Sequence, residues 1–282
     1  MISIIVPLYN KESVILNTLI SIASQDYQDW ECVIVNDGST DNSAQVVRDY
    51  ISSDNRFALY TKANGGPSSA RNYVVEKAMG EWIVFLDADD IFEDNALEIF
   101  GNSIKNYSTF NCIAYNFWVE HEGSKYLYTR NIQSSRIKNP YKEWFANNFM
   151  PRTGAALFRK SVLLKYKFKD YLRRYEDAEM IFNVFRNESI FYVNVPVMIY
   201  QYDNKDASCV RNNFQEDFFA HLMPKRKPFW EQVLLYQFYR SSLVLYGEQA
   251  KKVYPKSPFN TFMEVRINLT LKLYNLKKRI LG

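Results

Sequence analysis

The chain has 282 residues, of which 47% are hydrophobic and 23% are charged, and its formal net charge is +4. These values are ordinary for a globular protein, and the length suffices for one large hydrophobic core or for one core with a smaller appended unit. The sequence contains no run of about eighteen apolar residues, which excludes a membrane-spanning helix.

The first residues and the cysteines indicate the cellular compartment. The chain enters the apolar run SIIVPLYN directly, without the basic segment and small-residue cleavage site of a secretion signal. The cysteines Cys32, Cys112 and Cys209 form neither a CxxC pair nor a disulfide framework. A reducing cytoplasm is therefore the expected location.

The first 95 residues alternate between strand-like and helix-like patterns. Short apolar runs predict buried strands at SIIVPLYN, WECVIV, FALYTKA and EWIVFLD. Helical patterns follow them at residues 14–23, DNSAQVVRDYI, ARNYVVEKAM and IFEDNALEIF. This order predicts an α/β fold of Rossmann-like type, a mainly parallel sheet with helices on both faces. The polar clusters at the strand ends should meet at one rim, where open sheets of this kind bind ligands.

Beyond about residue 111 the regular alternation stops. Two strands around a turn are predicted in CIAYNFWVEHEGSKYLYTRN, followed by a strand in TGAALF, helices in RKSVLLKY and EDAEMIFNVFRN, and a strand in SIFYVNVPVMIYQY. The remainder predicts helices interrupted by Pro224, Pro228, Pro255 and Pro258. We therefore predict a domain over residues 1–212, with halves at 1–110 and 111–212, and a C-terminal helical extension over 213–282.

Two polar turns follow the second and third predicted strands. In NDGSTDNS, turn formation explains Gly38 and helix capping explains Asp41. The carboxylate of Asp37, at the end of a buried strand, needs a donor, which a base N–H or a ribose hydroxyl of a nucleotide would supply. NGGPSSARN lacks the spacing of the named phosphate-binding loops, so Gly66 is most simply a loop residue. Arg71 could reach a diphosphate or pair with nearby acids.

The stretch FLDADD places three carboxylates directly after an apolar strand. The dipole of the next helix accounts for Asp90 and Asp94. It does not account for Asp87 and Asp89, whose i, i+2 spacing on an extended segment puts both side chains on one side of the backbone. Such a pair can hold a divalent cation together with substrate phosphates. We therefore predict that Asp89 binds the cation and that Asp87 contacts the ribose or the waters of the metal.

Taken together, these motifs resemble a known family. PLYN with Glu12, VNDGSTD, NGGPSSARN and FLDADD, in this order and spacing, resemble the donor half of glycosyltransferase family 2, the inverting enzymes of GT-A fold. The resemblance covers residues 2–95. It implies that Asp89 binds Mn²⁺ or Mg²⁺. It also implies that a nucleotide-sugar donor contacts Pro7, Tyr9, Asn10, Glu12, Asp37, Gly38, Gly66, Arg71, Asp87 and Ala88.

The stretch YEDAEM resembles the ED motif of the same family. The resemblance implies that Asp177 deprotonates the acceptor hydroxyl, and that Glu176 and Gly154 lie at the acceptor site. From the residues alone, crowded carboxylates can raise one pKa to a value useful for a base, while an acidic first turn favoured by the helix dipole is the simpler explanation. YQYDNKDAS lacks the His found here in many family members, so a third protein ligand to the metal is not assigned.

The C-terminal extension is basic and carries two apolar stripes. Twelve of the 35 basic residues but three of the 31 acidic residues follow residue 217, so this part carries +9 and the preceding part −5. One stripe comprises Phe262, Val265, Leu269, Leu273, Leu276 and Ile280, and the other comprises Met263, Ile267, Leu271, Tyr274 and Leu281. We expect one stripe to pack on the protein's own core and the other to face a second subunit or an anionic membrane. A solvated face is the alternative explanation of the charge, and no nucleic-acid partner is expected.

The sequence thus predicts an inverting, metal-dependent hexosyl- or N-acetylhexosaminyltransferase. It would move a sugar from a nucleotide diphosphate, with UDP as the expected nucleotide, to a saccharide or lipid-linked saccharide in cell-surface polysaccharide synthesis. Because the tail is basic, we also expect the protein to be peripheral on the inner face of the cell membrane. Two alternatives stay open. One is a non-catalytic nucleotide-sugar-binding or scaffold protein. The other is a metal-dependent phosphatase, but the acid pair of such an enzyme is expected near the N-terminus, and here it lies far from it.

Overall fold

The computed structural model describes residues 1–129, 132–202 and 213–281, with side chains described up to residue 275. The chain forms two compact units, Met1–Val210 and Arg211–Gly282. The predicted domain boundary after residue 212 falls at the edge of the segment 203–212, outside the described residues.

The first half of the larger unit forms the predicted parallel strands and their connecting helices. In chain order these are β1 (Ile2–Leu8), α1 (Ile15–Ala23), β2 (Trp30–Asn36), α2 (Ser43–Ile51), β3 (Phe57–Thr61), α3 (Pro67–Val75) and β4 (Trp82–Phe85). The strands lie in the order β3-β2-β1-β4, and each neighbouring pair is parallel. The predicted alternation of strand and helix is confirmed.

The second half extends the same sheet with mixed strand directions. Its elements are β5 (Ile91–Phe92), α4 (Ala96–Asn106), β6 (Cys112–His121), β7 (Ser124–Leu127), β8 (Ser135–Arg136), α5 (Pro140–Phe145), β9 (Ala156–Arg159), α6 (Lys160–Lys165), α7 (Glu176–Asn187) and β10 (Ile190–Gln201). Among the described residues the sheet continues from β4 as β9-β6-β10-β5. Strand β9 is antiparallel to both β4 and β6, whereas β10 is parallel to β6.

One predicted detail is wrong, and two short elements were missed. The helix predicted over IFEDNALEIF begins only at Ala96, because Ile91 and Phe92 form β5 and pair with β10, where Phe92 is buried. The short helix α5 and the strand β8 were not predicted. Proline at the first turn of α5, preceded by the capping residue Asn139, is the sequence signal for that helix.

The central strands β1, β2 and β4 are largely apolar because helices cover both faces of the sheet. Ile4 and Val6 of β1 pack in one cluster with Leu19 of α1. The intervening Ile5 is fully buried on the other face, and α3 contacts β1. Both faces therefore exclude water, and sheets of this kind bind ligands beyond the carboxyl ends of their strands.

The smaller unit consists of helices and short turns. Two 3₁₀ turns, Phe214–Glu216 and Phe218–Ala220, precede α8 (Phe229–Tyr246), α9 (Glu248–Val253) and α10 (Thr261–Leu281). In α10, Ile267 is fully buried and Asn268 donates to the Tyr236 hydroxyl of α8. The stripe that contains Ile267 is therefore the one that packs within this unit. Across the described part of the chain, no helix combines the length and the apolar character needed to cross a bilayer.

Candidate active site

The polar clusters that follow β1, β2 and β4 meet at one rim of the sheet, as predicted. Leu8 pairs with Asn36, and Ile5 pairs with Phe85, so these three strands end side by side. The DADD turn is held in place from beneath, because the hydroxyl of Thr18 donates to the carbonyls at positions 88 and 90, at 3.0 and 2.9 Å. The acids that follow β4 therefore stand next to the loops of β1 and β2.

Asn10 and Glu12 tie the loop after β1 to the loop after β2. The side-chain oxygen of Asn10 accepts from the backbone N–H of Thr40 at 2.8 Å, and Glu12 accepts from that of Asn42 at 2.7 Å. Asn10 adopts a left-handed backbone conformation, with φ at 51°. Tyr9, which precedes Asn10, is exposed, and its contact with a donor stays a prediction. The structure thus gives Asn10 and Glu12 loop-holding contacts, and their contact with a donor stays a prediction.

Asp37 organises the glycine-rich loop that precedes α3. Its buried carboxylate accepts from the backbone N–H groups of Gly65 and Gly66, at 2.9 and 2.6 Å, and from Lys62 Nζ at 2.6 Å. Next to it, Gly38 has φ at +72°, and a Cβ there would lie 2.9 Å from the backbone nitrogen of Asn64. The donors that Asp37 requires are therefore supplied by the chain itself, and contact with a nucleoside stays a prediction.

Arg71 joins the two halves of the unit. Its guanidinium is buried, and it donates to Asp87 at 2.8 Å and to Glu176 of α7 at 2.7 Å. The ring of Phe168 lies 5.3 Å from its centre. Burial opposes the charge, but Asp87, Glu176 and Asp177 outweigh it and raise the pKa of Arg71 above its usual value. Arg71 thus pairs with nearby acids, and its contact with a diphosphate donor stays a prediction.

Two further cations at this rim were not predicted. Lys11 Nζ lies 2.5 Å from Oδ2 of Asp89, and a guanidinium nitrogen of Arg152 lies 3.8 Å from Asp90 while its centre lies 3.4 Å above the ring of Tyr200. Lys11 stands inside the PLYN–Glu12 motif and Arg152 directly precedes TGAALF. Their position within the motifs was the available signal, but their pairing depends on the fold.

The three carboxylates of DADD differ in their electrostatics. Loss of solvent around its carboxylate would raise the pKa of Asp87, but Arg71, Arg152 and Lys11 together hold that pKa below its usual value. Burial, reinforced by Asp87 and Asp89, raises the pKa of Asp90 well above its usual value against the effect of Arg152. Asp90 also accepts from the backbone N–H of residue 201 at 3.0 Å. Asp90 is therefore a structural group, while Asp87 and Asp89 are partly exposed at the rim, at 34% and 21%.

Helix α7 brings the ED motif to the same rim. Glu176 is buried against Arg71, whereas Asp177 is partly exposed and contributes to the raised pKa of both Arg71 and Arg152. Tyr175 precedes the helix in a left-handed conformation, with φ at 53°. Such a conformation is uncommon and costly for an aromatic residue. The structure thus places Asp177 within electrostatic reach of Arg71 and Arg152, the cations that pair with Asp87 and Asp90.

Gly154 lies in a 3₁₀ turn, Thr153–Ala155, that packs under the rim. A Cβ at Gly154 would lie 2.7 Å from Met198 Sδ and 3.1 Å from the carbonyl oxygen of Phe85. The close approach of β4 therefore requires a glycine here. Its contact with an acceptor stays a prediction.

The residues at the rim fit a divalent cation that is shared with a substrate. No group of three or more His, Cys, Asp or Glu side chains is gathered for a metal in residues 1–129, 132–202 and 213–275. Asp89 offers one partly exposed carboxylate, and one or two carboxylates plus phosphate oxygens are the usual ligands of Mg²⁺ at nucleotide sites. The stretch YQYDNKDAS, where a third ligand was not assigned, lies mostly outside the described residues.

Parallel strands that end in a rim of carboxylates, joined to a second half that carries an acidic helix, define an α/β protein of the GT-A class. The family model for glycosyl transferase family 2 matches residues 3–167, more than half of the chain. The chain belongs to glycosyltransferase family 2.

Comparison with individual proteins agrees with this assignment. An uncharacterized glycosyltransferase of Haemophilus influenzae is 42% identical over 99 residues, 35% of this chain and 40% of that protein. The chain thus spans less than half of that relative's length.

Solved structures show the same fold. S. aureus TarS with UDP-GlcNAc has a TM-score of 0.72 at 19% identity, over 90% of this chain and 76% of that chain. The mannosyltransferase PcManGT of Pyrobaculum calidifontis with GDP-Man and Mn²⁺ has a TM-score of 0.55 at 16% identity, over 98% of this chain and 82% of that chain.

Proposed function

We propose that the protein is an inverting glycosyltransferase that moves a hexosyl or N-acetylhexosaminyl group from a UDP-sugar to a hydroxyl of a saccharide acceptor. The observation that carries the proposal is the rim itself, where the partly exposed Asp87 and Asp89 lie beside an acidic helix end. Family membership and the nucleotide-sugar complexes of the structural neighbours support the choice of donor.

Asp177 is the group we assign to proton transfer. Its carboxylate takes the proton of the acceptor hydroxyl while the oxygen forms a bond to the anomeric carbon, and the bond from that carbon to the diphosphate oxygen breaks. Attack from the side opposite the leaving group inverts the configuration. Glu176 is less suited to the role, because its buried carboxylate is already paired with Arg71.

Asp89 is the group we assign to a Mn²⁺ or Mg²⁺ ion. A bound divalent cation supplies charge stabilisation for the departing diphosphate. Asp87 stands beside it, ionised and partly exposed, where it can accept from a ribose hydroxyl. The loops held by Asn10, Glu12 and Asp37 form the neighbouring wall at the ends of β1 and β2.

Mn²⁺-dependent UDP binding tests this assignment. Asp89→Ala should abolish the Mn²⁺-dependent part of UDP binding measured by calorimetry. Asp94→Ala is the matched control, because Asp94 is an exposed acid five residues further along the chain. This variant should bind UDP as the wild type does. Equal UDP affinity in wild type and Asp89→Ala, with Mn²⁺ present, would remove the metal role from Asp89.

A hydrolysis screen identifies the donor without knowledge of the acceptor. Slow release of UDP from UDP-sugars with Mn²⁺ or Mg²⁺ is expected, and Asp177→Asn should retain donor binding. Nucleotide binding without turnover on any acceptor would favour the scaffold alternative. Release of phosphate from simple esters would favour the phosphatase alternative.

The smaller unit supports a proposal about location. Phe262, Val265, Leu269 and Leu273 form an exposed stripe on α10, with 76%, 63%, 57% and 59% of each residue accessible. The apolar and basic residues that continue this helix past residue 275 lie outside the described side chains. An apolar stripe within a region of net charge +9 suits an anionic bilayer surface. We therefore assign the protein to the cytoplasmic face of the cell membrane, near lipid-linked acceptors, with a homodimer through the same stripe as the competing outcome.

A further inference from the structure

Lys11 is built into the rim at the position where the metal is proposed to bind. Its ammonium lies 2.5 Å from Oδ2 of Asp89. Its backbone is fixed on both sides, because its N–H donates to Ser43 Oγ at 2.7 Å and its carbonyl accepts from Ile15 N at 3.0 Å. Both charged side chains are largely enclosed, at 28% and 21% exposed. The fixed backbone of the loop after β1 therefore holds Lys11 next to Asp89, whereas the ion pair of an exposed surface lysine is not held in this way.

Lys11 is better able to move than the two arginines of the rim. Arg71 is buried between two carboxylates, and Arg152 is stacked on Tyr200. A lysine carries a compact charge on a flexible four-carbon chain, so its ammonium can change partner while its backbone stays in place. Of these three cations, Lys11 has the most exposed side chain.

We propose that Lys11 is an internal counter-cation that competes with the divalent metal for Asp89 and makes metal and nucleotide binding depend on each other. This inference rests on the proposed function. A metal that approaches Asp89 alone must displace the ammonium from Oδ2 or bind beside a like charge. When a diphosphate is present, its oxygens give the ammonium a new partner. UDP should then strengthen metal binding, and the metal should strengthen UDP binding by the same factor.

The test measures Mn²⁺ binding directly, by the electron paramagnetic resonance signal of free Mn²⁺, with and without UDP. The variants are Lys11→Met and Lys11→Gln, which remove the charge and keep much of the side chain. Lys125→Met is the matched control, because Lys125 pairs with Glu93 at 3.0 Å and its loss also removes one positive charge. Asp89→Asn reports whether the metal site itself is correctly assigned.

Without UDP, Lys11→Met and Lys11→Gln should bind Mn²⁺ on the order of tenfold more tightly than wild type, since the charge-assisted hydrogen bond from the Lys11 ammonium no longer has to be broken. The strengthening by UDP should shrink in both variants and stay unchanged in Lys125→Met. Wild-type Mn²⁺ affinity and wild-type strengthening in both Lys11 variants, with binding lost in Asp89→Asn, would overturn the role of Lys11 alone. Unchanged binding in Asp89→Asn would overturn the metal site and this inference together.

Discussion

Replacing Arg71 with Met tests how the two halves of the larger unit are held together. Arg71 is 6% exposed and pairs with Glu176 and Asp87, whose side chains are 10% and 34% exposed. A Met side chain fills a similar volume without a charge. We expect the variant to be less stable, because Glu176 would remain buried without its cation.

The size of the expected loss in the free energy of unfolding follows from the burial of the two carboxylates. Removing one partner of a buried ion pair costs about 3–5 kcal/mol, which applies to the pair with Glu176. The pair with Asp87 adds less than about 1 kcal/mol, because solvent screens a carboxylate with a third of its surface exposed. For a unit of this size, a loss of about 4 kcal/mol lowers the melting temperature on the order of 10 °C.

The loss of stability should depend on pH. Burial raises the pKa of Glu176, Arg71 opposes that rise, and Asp177 adds to it. Without Arg71 the pKa of Glu176 rises further. A carboxyl whose pKa is raised in the folded state destabilises the protein at pH values above its unfolded-state pKa. This cost disappears below about pH 4, where the carboxyl is protonated in both the folded and the unfolded state. The deficit of Arg71→Met should therefore be largest near neutral pH and shrink as the pH falls.

Thermal and urea unfolding of the full chain, at about pH 7 and about pH 5, measure these effects. The double variant Arg71→Met with Glu176→Met replaces the ion pair by two apolar side chains and should regain at least half of the lost free energy of unfolding. A loss below about 1 kcal/mol in Arg71→Met, or a double variant less stable than the single one, would refute the reasoning.

Two further changes test the chemistry and the tail. Asp177→Asn keeps the shape of the side chain and removes its basicity, so sugar transfer should fall by roughly a hundredfold or more with UDP affinity kept; transfer at nearly the wild-type rate would require another base. Changing Lys272 and the basic residues at 277–279 to Gln should weaken co-sedimentation with anionic vesicles, as added salt should, without loss of UDP binding. Equal binding to neutral vesicles, or a dimer without vesicle binding, would contradict the membrane assignment.

The sequence predicted the elements whose pattern is local. The strands β1, β2 and β4 were predicted because apolar runs buried on both faces are continuous in sequence, and the rim followed from the rule for parallel strands. The strand β5 was missed because Ile91 and Phe92 gain their conformation from pairing with a strand about 100 residues away. No local pattern reports such a partner.

In the candidate site, as in the fold, the residues in local motifs were predicted and the long-range contacts were not. The acids of FLDADD and the ED motif stand at the rim as expected, because each follows a strand or begins a helix. Lys11 and Arg152 were missed, since a single basic residue in a polar loop has no pattern until the fold brings an acid to it. The donors to Asp37 were missed for the same reason, because they come from a loop 28 and 29 residues further along the chain.

Strand β9 determines how segments of this protein could be exchanged with those of a relative. Its four residues, Ala156–Arg159, pair with β4 on one side and with β6 on the other, so the two halves of the larger unit share one seam. The helix that carries Asp177 follows this seam in sequence. A chimera that exchanges residues 111–202 for those of a relative would bring a foreign β9 against the resident β4. Compatibility at Trp82 and Ile83, the residues of β4 that pair with it, would then decide whether a new second half can be grafted onto this first half.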